Sequence, residues 1–138
     1  MATPVRIGIL LPDGTIRSSY QKTLGYFQNT GSKLLNHYSS EQSASSLIDG
    51  GDMINCYTDK RWTTEGHVPM DPPGPDYYSY QNLDTPPKTH QNLNEFLDYT
   101  FDSSNDSMIA YLFENDEWFV YTLERTRYNL TDLVVSAT

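Results

Sequence analysis

Few side chains in this sequence are of the types that do covalent or metal chemistry, and their spacing suits neither. The three histidines are His37, His67 and His90, and the single cysteine is Cys56. No two histidines stand at i and i+4, and no second cysteine follows Cys56 at ligand spacing, so a zinc site is not expected. Cys56 and a distant histidine would form a nucleophile–base pair only through the fold. Nothing local supports that, and an inert buried thiol is the simpler reading. A glycine-rich phosphate loop and a Gly-x-Ser-x-Gly elbow are both missing from the sequence. Glu114, Asp116 and Glu117 crowd one turn, where a hard cation fits in principle. Exposed turns are commonly acidic without any ligand. These residues point to no reaction, cofactor or metal, and the chain is expected not to be an enzyme.

The more promising residues are aromatic. Residues 55–88 carry Tyr57, Trp62, Tyr77, Tyr78 and Tyr80, together with six of the eight prolines. Proline removes a backbone donor and fixes φ, while aromatic rings favour burial. The segment is therefore expected to be a long ordered loop pinned by its rings. Tyrosine and tryptophan are also enriched at interface hot spots, so these five residues are candidate protein contacts.

The flanking elements read more clearly. Val5 to Leu10 alternates as a strand, Pro12-Asp13-Gly14 is a turn, and Thr15 to Tyr20 returns as its partner. Gln21 to Thr30 is expected to be a loop centred on Gly25 and Tyr26. Leu34, Leu35 and Tyr38 share a helical face within Gly31 to Tyr38. Ser39 or Ser40 caps a second helix through Asp49, with Gly50-Gly51 as its stop. Asn92 and Glu95 have capping-box spacing for a third helix ending near Phe101. Met108 to Phe113 and Glu117 to Leu123 form a second hairpin whose two apolar faces suit the middle of a sheet. Leu130 to Val135 is expected to add an edge strand or a docking tail. The sum is an α+β fold in one domain: a small, mostly antiparallel sheet from two hairpins, with three short helices packed on it.

The chain has 138 residues and a net charge of −9. The charge is uneven. Residues 1–63 hold six Lys/Arg against five Asp/Glu, whereas residues 64–120 hold one Lys and eleven acids. Such a block disfavours direct nucleic-acid binding and suits a partner with a basic surface. No apolar run is long enough to span a membrane. The N-terminal run is too short for a signal peptide. With one cysteine, a reducing cytoplasm is the expected setting.

Arg6 to Asp52 resembles a family of small proteins common in bacteriophage genomes. The matching residues are Ile7-Gly8, Asp13-Gly14, Ile16-Arg17-Ser18, Tyr20, Gly25-Tyr26, Gly31, Leu34-Leu35, Tyr38, Leu47-Ile48 and Gly51-Asp52. The aromatic hairpin Tyr111-Leu112-Phe113 and Trp118-Phe119-Val120 is a looser match. Where the family shows Cys-His-Trp-Asp, this chain has Gln21-Lys22-Thr23-Leu24. No metal or acid–base role carries over to that loop.

The resemblance implies action inside an infected bacterial cell. The leading expectation is an accessory protein that binds and modulates or inhibits a host protein at a basic surface, for instance a nucleic-acid-binding one. Its acidic contacts would be Asp98, Asp102, Asp106, Asp116 and Glu117, beside the five loop aromatics. The alternative is a small-ligand binder, for instance of a nucleotide signal. Tyr20, Lys22, Gly25 and Tyr26 would then supply a stacking ring and a cation. A minor virion component is a further alternative.

Overall fold

The computed structural model describes residues 3–105 and 107–137, with 135–137 as backbone only. Asp106, one of the expected acidic contacts, lies outside the described residues. The fold is α+β. In chain order come β1 (Val5–Leu10), β2 (Ile16–Gln21), a π-helical turn Phe27–Gly31, α1 (Ser32–His37) and α2 (Glu41–Asp49). Then follow β3 (Met53–Thr63), β4 (Gly66–Tyr77), a 3-10 turn Tyr78–Gln81, β5 (Lys88–His90) and α3 (Leu93–Thr100). The last elements are β6 (Ile109–Glu114), β7 (Glu117–Tyr121), β8 (Arg127–Asn129) and α4 (Leu130–Ala137).

One sheet runs β4-β3-β2-β1-β6-β7-β8, with β5 joined to β2. It is mixed. The two expected hairpins form, yet they meet side by side through a parallel β1–β6 pairing that sets Val5 against Ile109 and Ile9 against Phe113. The outer edge of β2 is shared by two strands. β5 pairs antiparallel with Ile16 to Ser18, and β3 takes a parallel bridge from Gln21 to Met53.

Strand alternation divides the core between the two faces. Val5, Ile7 and Ile9 of β1 pack with Tyr111 and Phe113 of β6 against Leu34, Ala44, Leu47, Ile48 and Leu130. Thus α1, α2 and α4 cover one face. Ala110, Leu112, Ile16 and Tyr121 meet Phe96 and Leu97 of α3 on the other. Gly8 permits that second contact, because a Cβ there would stand 3.1 Å from the Phe96 ring and from Ile16.

Local rules explain most helix ends. The Ser40 hydroxyl accepts from the Ser43 N–H, and the Ser43 hydroxyl accepts from the Ser40 N–H, a reciprocal cap at the N-terminus of α2. Asn92 Oδ1 accepts from the Glu95 N–H at 2.9 Å, the forward half of the expected box. At the β6–β7 turn, Asn115 and Asp116 both have positive φ, the backbone of a two-residue hairpin loop.

Two expectations are corrected here. Residues 55–88 are not an irregular loop, since β3 and β4 make a long antiparallel hairpin from Met53 to Tyr77. Its prolines are tolerated because β4 is the outermost strand and needs no outward donors. Lys60 pairs with Pro69 and Thr58 with Gly74, so Pro72 and Pro73 fall in a bulge between the two pairs. The chain after β8 is also not a strand. Leu130 to Ala137 is α4, and Leu130 is fully buried against the first face. No helix among the described residues is long and apolar enough to cross a membrane.

Candidate functional site

The most unusual residue in the core is Arg6. It stands between Val5 and Ile7 in β1, and alternation turns it to the α3 side. It is only 3 % exposed. Its register partner on β2 is Tyr20. Arg6 Nη1 donates to Ser18 Oγ at 2.9 Å, and the guanidinium lies 4.8 Å from the centre of the Tyr99 ring. No carboxylate among the described residues is within ion-pair distance of it. The buried Arg6 Nε has no hydrogen-bond partner among the described residues. Arg17 and Arg61 carry similar Nε atoms, but Arg17 has Asp49 at 2.7 Å and Arg61 is less buried, against Tyr80. Burial lowers the Arg6 pKa, with Asp52 opposing that shift. A guanidinium nevertheless stays charged in a protein.

β5 delivers a second cation. Its register sets Lys88 beside Ser18, and Lys88 Nζ lies 5.5 Å from the same Tyr99 ring. Two positive groups therefore share one aromatic ring. Arg6, Lys88, Tyr20, Tyr78, Tyr99, Asp52, Ser104 and Asn105 line a cleft of about 390 Å³. That is enough for a small ligand.

Beside the cleft runs a hydrogen-bonded chain. Ser18 Oγ accepts from Arg6 and shares a hydrogen bond of 2.7 Å with His90 Nε2. Burial, then the charges of Arg6 and Lys88, push the His90 pKa down to about 4. The imidazole is thus neutral near pH 7, and its tautomer decides which of the two groups donates. Asp52 Oδ1 accepts from the Tyr20 N–H at 2.9 Å. Burial raises the Asp52 pKa against the opposing pull of that bond, Arg6 and Lys88.

Of the residues expected to bind a ligand, Tyr20 lies in this cleft and Lys22 borders the neighbouring groove with Tyr78. Gly25 and Tyr26 line neither. Gly25 is buried beside Val5, its carbonyl accepts from Tyr111 Oη at 2.6 Å, and a Cβ would strike Thr3 and Val5. Tyr26 precedes the π-helical turn and is largely exposed.

The five aromatics divide between packing and surface. Tyr57 stacks on His37 with ring centres 3.7 Å apart. Tyr77 Oη donates to the Leu47 carbonyl at 2.6 Å, and Tyr80 packs edge-on against Tyr77. Tyr78 lines the cleft, and Trp62 is 42 % exposed beside His67.

The expected acidic contacts are spread out, and most have local partners. Asp98 pairs with Arg125 at 2.6 Å. Asp102 Oδ1 accepts from the Ser104 N–H and hydroxyl. Asp116 occupies a positive-φ turn position that aspartate tolerates. Glu117 accepts from Asn129 at 3.3 Å. Asp98 and Asp102 border a hollow with Lys88 and His90, while Asp116 borders another between the two hairpin turns. Neither depression beside Trp62 is lined by any of them.

Arg6, Ser18, Lys88, His90 and Tyr99 were not singled out as a site by sequence reasoning. One signal was present: a lone arginine inside the apolar run Val5 to Leu10. No group of three His, Cys, Asp or Glu among the described residues is placed to hold a metal ion. No protein-family model, curated protein or solved structure matches the chain.

Proposed function

We propose that this chain binds a small anionic ligand in the Arg6–Lys88 cleft. The observation that carries the reading is Arg6 itself: a buried guanidinium without a carboxylate at ion-pair distance among the described residues, opening on a cleft with a second cation. Burying a charge costs several kcal/mol unless a partner meets it. An incoming phosphate or carboxylate supplies that partner and separates two cations that share one ring. We read the site as binding rather than catalysis. The hydroxyl beside an imidazole, Ser18, is fully buried and already bonded on both sides.

Calorimetric titration with ribose 5-phosphate tests this. Lys88→Ala should weaken binding about tenfold, the value of one charge-assisted hydrogen bond. Asp52→Asn keeps an acceptor for the Tyr20 N–H and removes a negative charge, so it should tighten binding roughly fivefold. Equal affinities in all three proteins contradict the reading.

A second reading keeps the phage-borne, host-protein-binding role. What supports it is the exposure of Trp62 and of Leu24, which border one hollow, and of Leu83, which borders the next. Lys22, Lys60 and Lys33 rim these hollows, so the partner's matching surface would be acidic there. A host protein retained by the wild type and equally by a Trp62→Ala, Leu83→Ser variant contradicts this reading.

A further inference from the structure

A second depression neighbours the cleft. This groove of about 460 Å³ is lined by Lys22, Thr23, Ile54, Trp62, Tyr78, Gln81 and Leu83. Tyr78 lines both spaces, so they adjoin that one residue. The groove differs in chemistry from the cleft. Ile54, Leu83 and two aromatic residues give it an apolar share, beside the polar Lys22, Thr23 and Gln81.

Trp62 is held for this position. The β3–β4 ladder is irregular between Thr58 and Lys60. Just beyond it, Asp76 holds the Trp62 backbone: its carboxylate accepts from the Trp62 N–H at 3.2 and 3.3 Å, and the residue is nearly fully buried. His67 packs on Trp62 with ring centres 3.6 Å apart. Yet His67 borders the hollow on the other side and not this groove. The indole therefore keeps a surface toward the groove while His67 restrains its rotation. A restrained, exposed indole beside a tyrosine makes a stacking platform for a flat ring. Thr23 and Gln81 offer hydrogen-bonding groups for polar ring edges.

We infer that the ligand joins an anion to a flat, polar-edged ring, as a nucleoside monophosphate does, with its phosphate between Arg6 and Lys88 and its base in the Trp62–Tyr78 groove. This rests on the anion-binding reading above and adds a second subsite to it. The two spaces share Tyr78 in their linings, which places both within the span of one nucleotide-sized molecule.

The test compares AMP with ribose 5-phosphate, which carries the same anion without the base. Affinities are measured by calorimetry on wild type, Trp62→Ala and Trp62→Tyr. Trp62 is exposed and its structural bond to Asp76 is made by the backbone, so the variants should fold, which circular dichroism checks. The expected result is that wild type binds AMP about tenfold tighter than ribose 5-phosphate, the worth of one stacked base. Trp62→Ala should bring AMP down to the level of ribose 5-phosphate and leave the latter unchanged, while Trp62→Tyr restores most of the difference. Equal wild-type affinity for the two ligands, or an AMP preference that survives Trp62→Ala, overturns the ring subsite and leaves the anion site standing. Failure of both ligands to bind overturns the anion site and this inference with it.

Discussion

Arg6 shows how one residue changes meaning between sequence and fold. In the sequence it is a lone cation near the start of an apolar strand, with nothing beside it to mark a site. In the fold, alternation places it inside, on the face that α3 covers, with Ser18 as its hydrogen-bond partner. Which cations meet is decided by strand register, and the register of β5 against β2 brings Lys88 there from far along the chain. Tyr20 was legible as a candidate ring, because it follows a strand whose turn and partner are clear. Lys22, just past the end of β2, lines the neighbouring groove and not the cleft. His90 carries the test at this scale. Its pKa in the fold is about 4, below the ordinary 6.5. The folded state therefore binds this proton less readily than the unfolded chain. Stability from this group is complete above pH 6.5, falls as pH drops from 6.5 toward 4, and changes no further below that. The loss amounts to on the order of 3 kcal/mol. His90→Gln keeps a hydrogen-bonding partner for Ser18, able to donate or accept, and should flatten the denaturation profile over that window. An unaltered pH slope contradicts the assignment of a neutral imidazole.

Elements with local signals were readable, and those set by tertiary pairing were not. The β1–β2 hairpin, α2 with its serine cap, and the β6–β7 hairpin follow from turn chemistry, capping and alternation within a few residues. The β3–β4 hairpin hides because its bulges break the alternation and its prolines argue against a ladder. An edge strand accepts both. The β8–α4 boundary is similarly obscured, since Leu130 to Val135 is apolar enough for either a strand or a buried helix. Gly50-Gly51 was read as a helix stop, and the fold adds a second requirement. Gly50 has helical φ, so its need is for space: a Cβ there would stand 2.0 Å from the Tyr77 ring. The hydroxyl of that ring donates to the Leu47 carbonyl and ties the β3–β4 hairpin to α2. Gly50→Ala should therefore destabilise the fold by about 2 kcal/mol, the scale of an overpacked site. Urea denaturation reads this directly, and an unchanged midpoint would mean that the ring does not close over α2 in solution.

At the scale of the whole molecule, charge and site pull in opposite directions. A net charge of −9 repels a distant anion. The cleft attracts one only at short range, through a buried arginine that solvent screens weakly. The acidic character so evident in the sequence therefore does not locate the site. Several of those acids cap turns or pair with arginines of the last strand and its approach. Parallel pairing of the two hairpins makes the rest possible, because it brings Met108 beside Pro4 at the start of β1, next to Arg6. Asn105 then closes the cleft from the chain that leads into β6. The central claim is that Arg6 meets the ligand's anion, and the most direct measurement is a nitrogen-15 NMR titration that follows the Arg6 Nε–H resonance as AMP is added. The structure predicts a saturable shift of that resonance in wild type, and a weaker curve displaced to higher AMP in Lys88→Ala. A resonance that stays fixed through the titration, or drifts identically with added potassium chloride, contradicts the account.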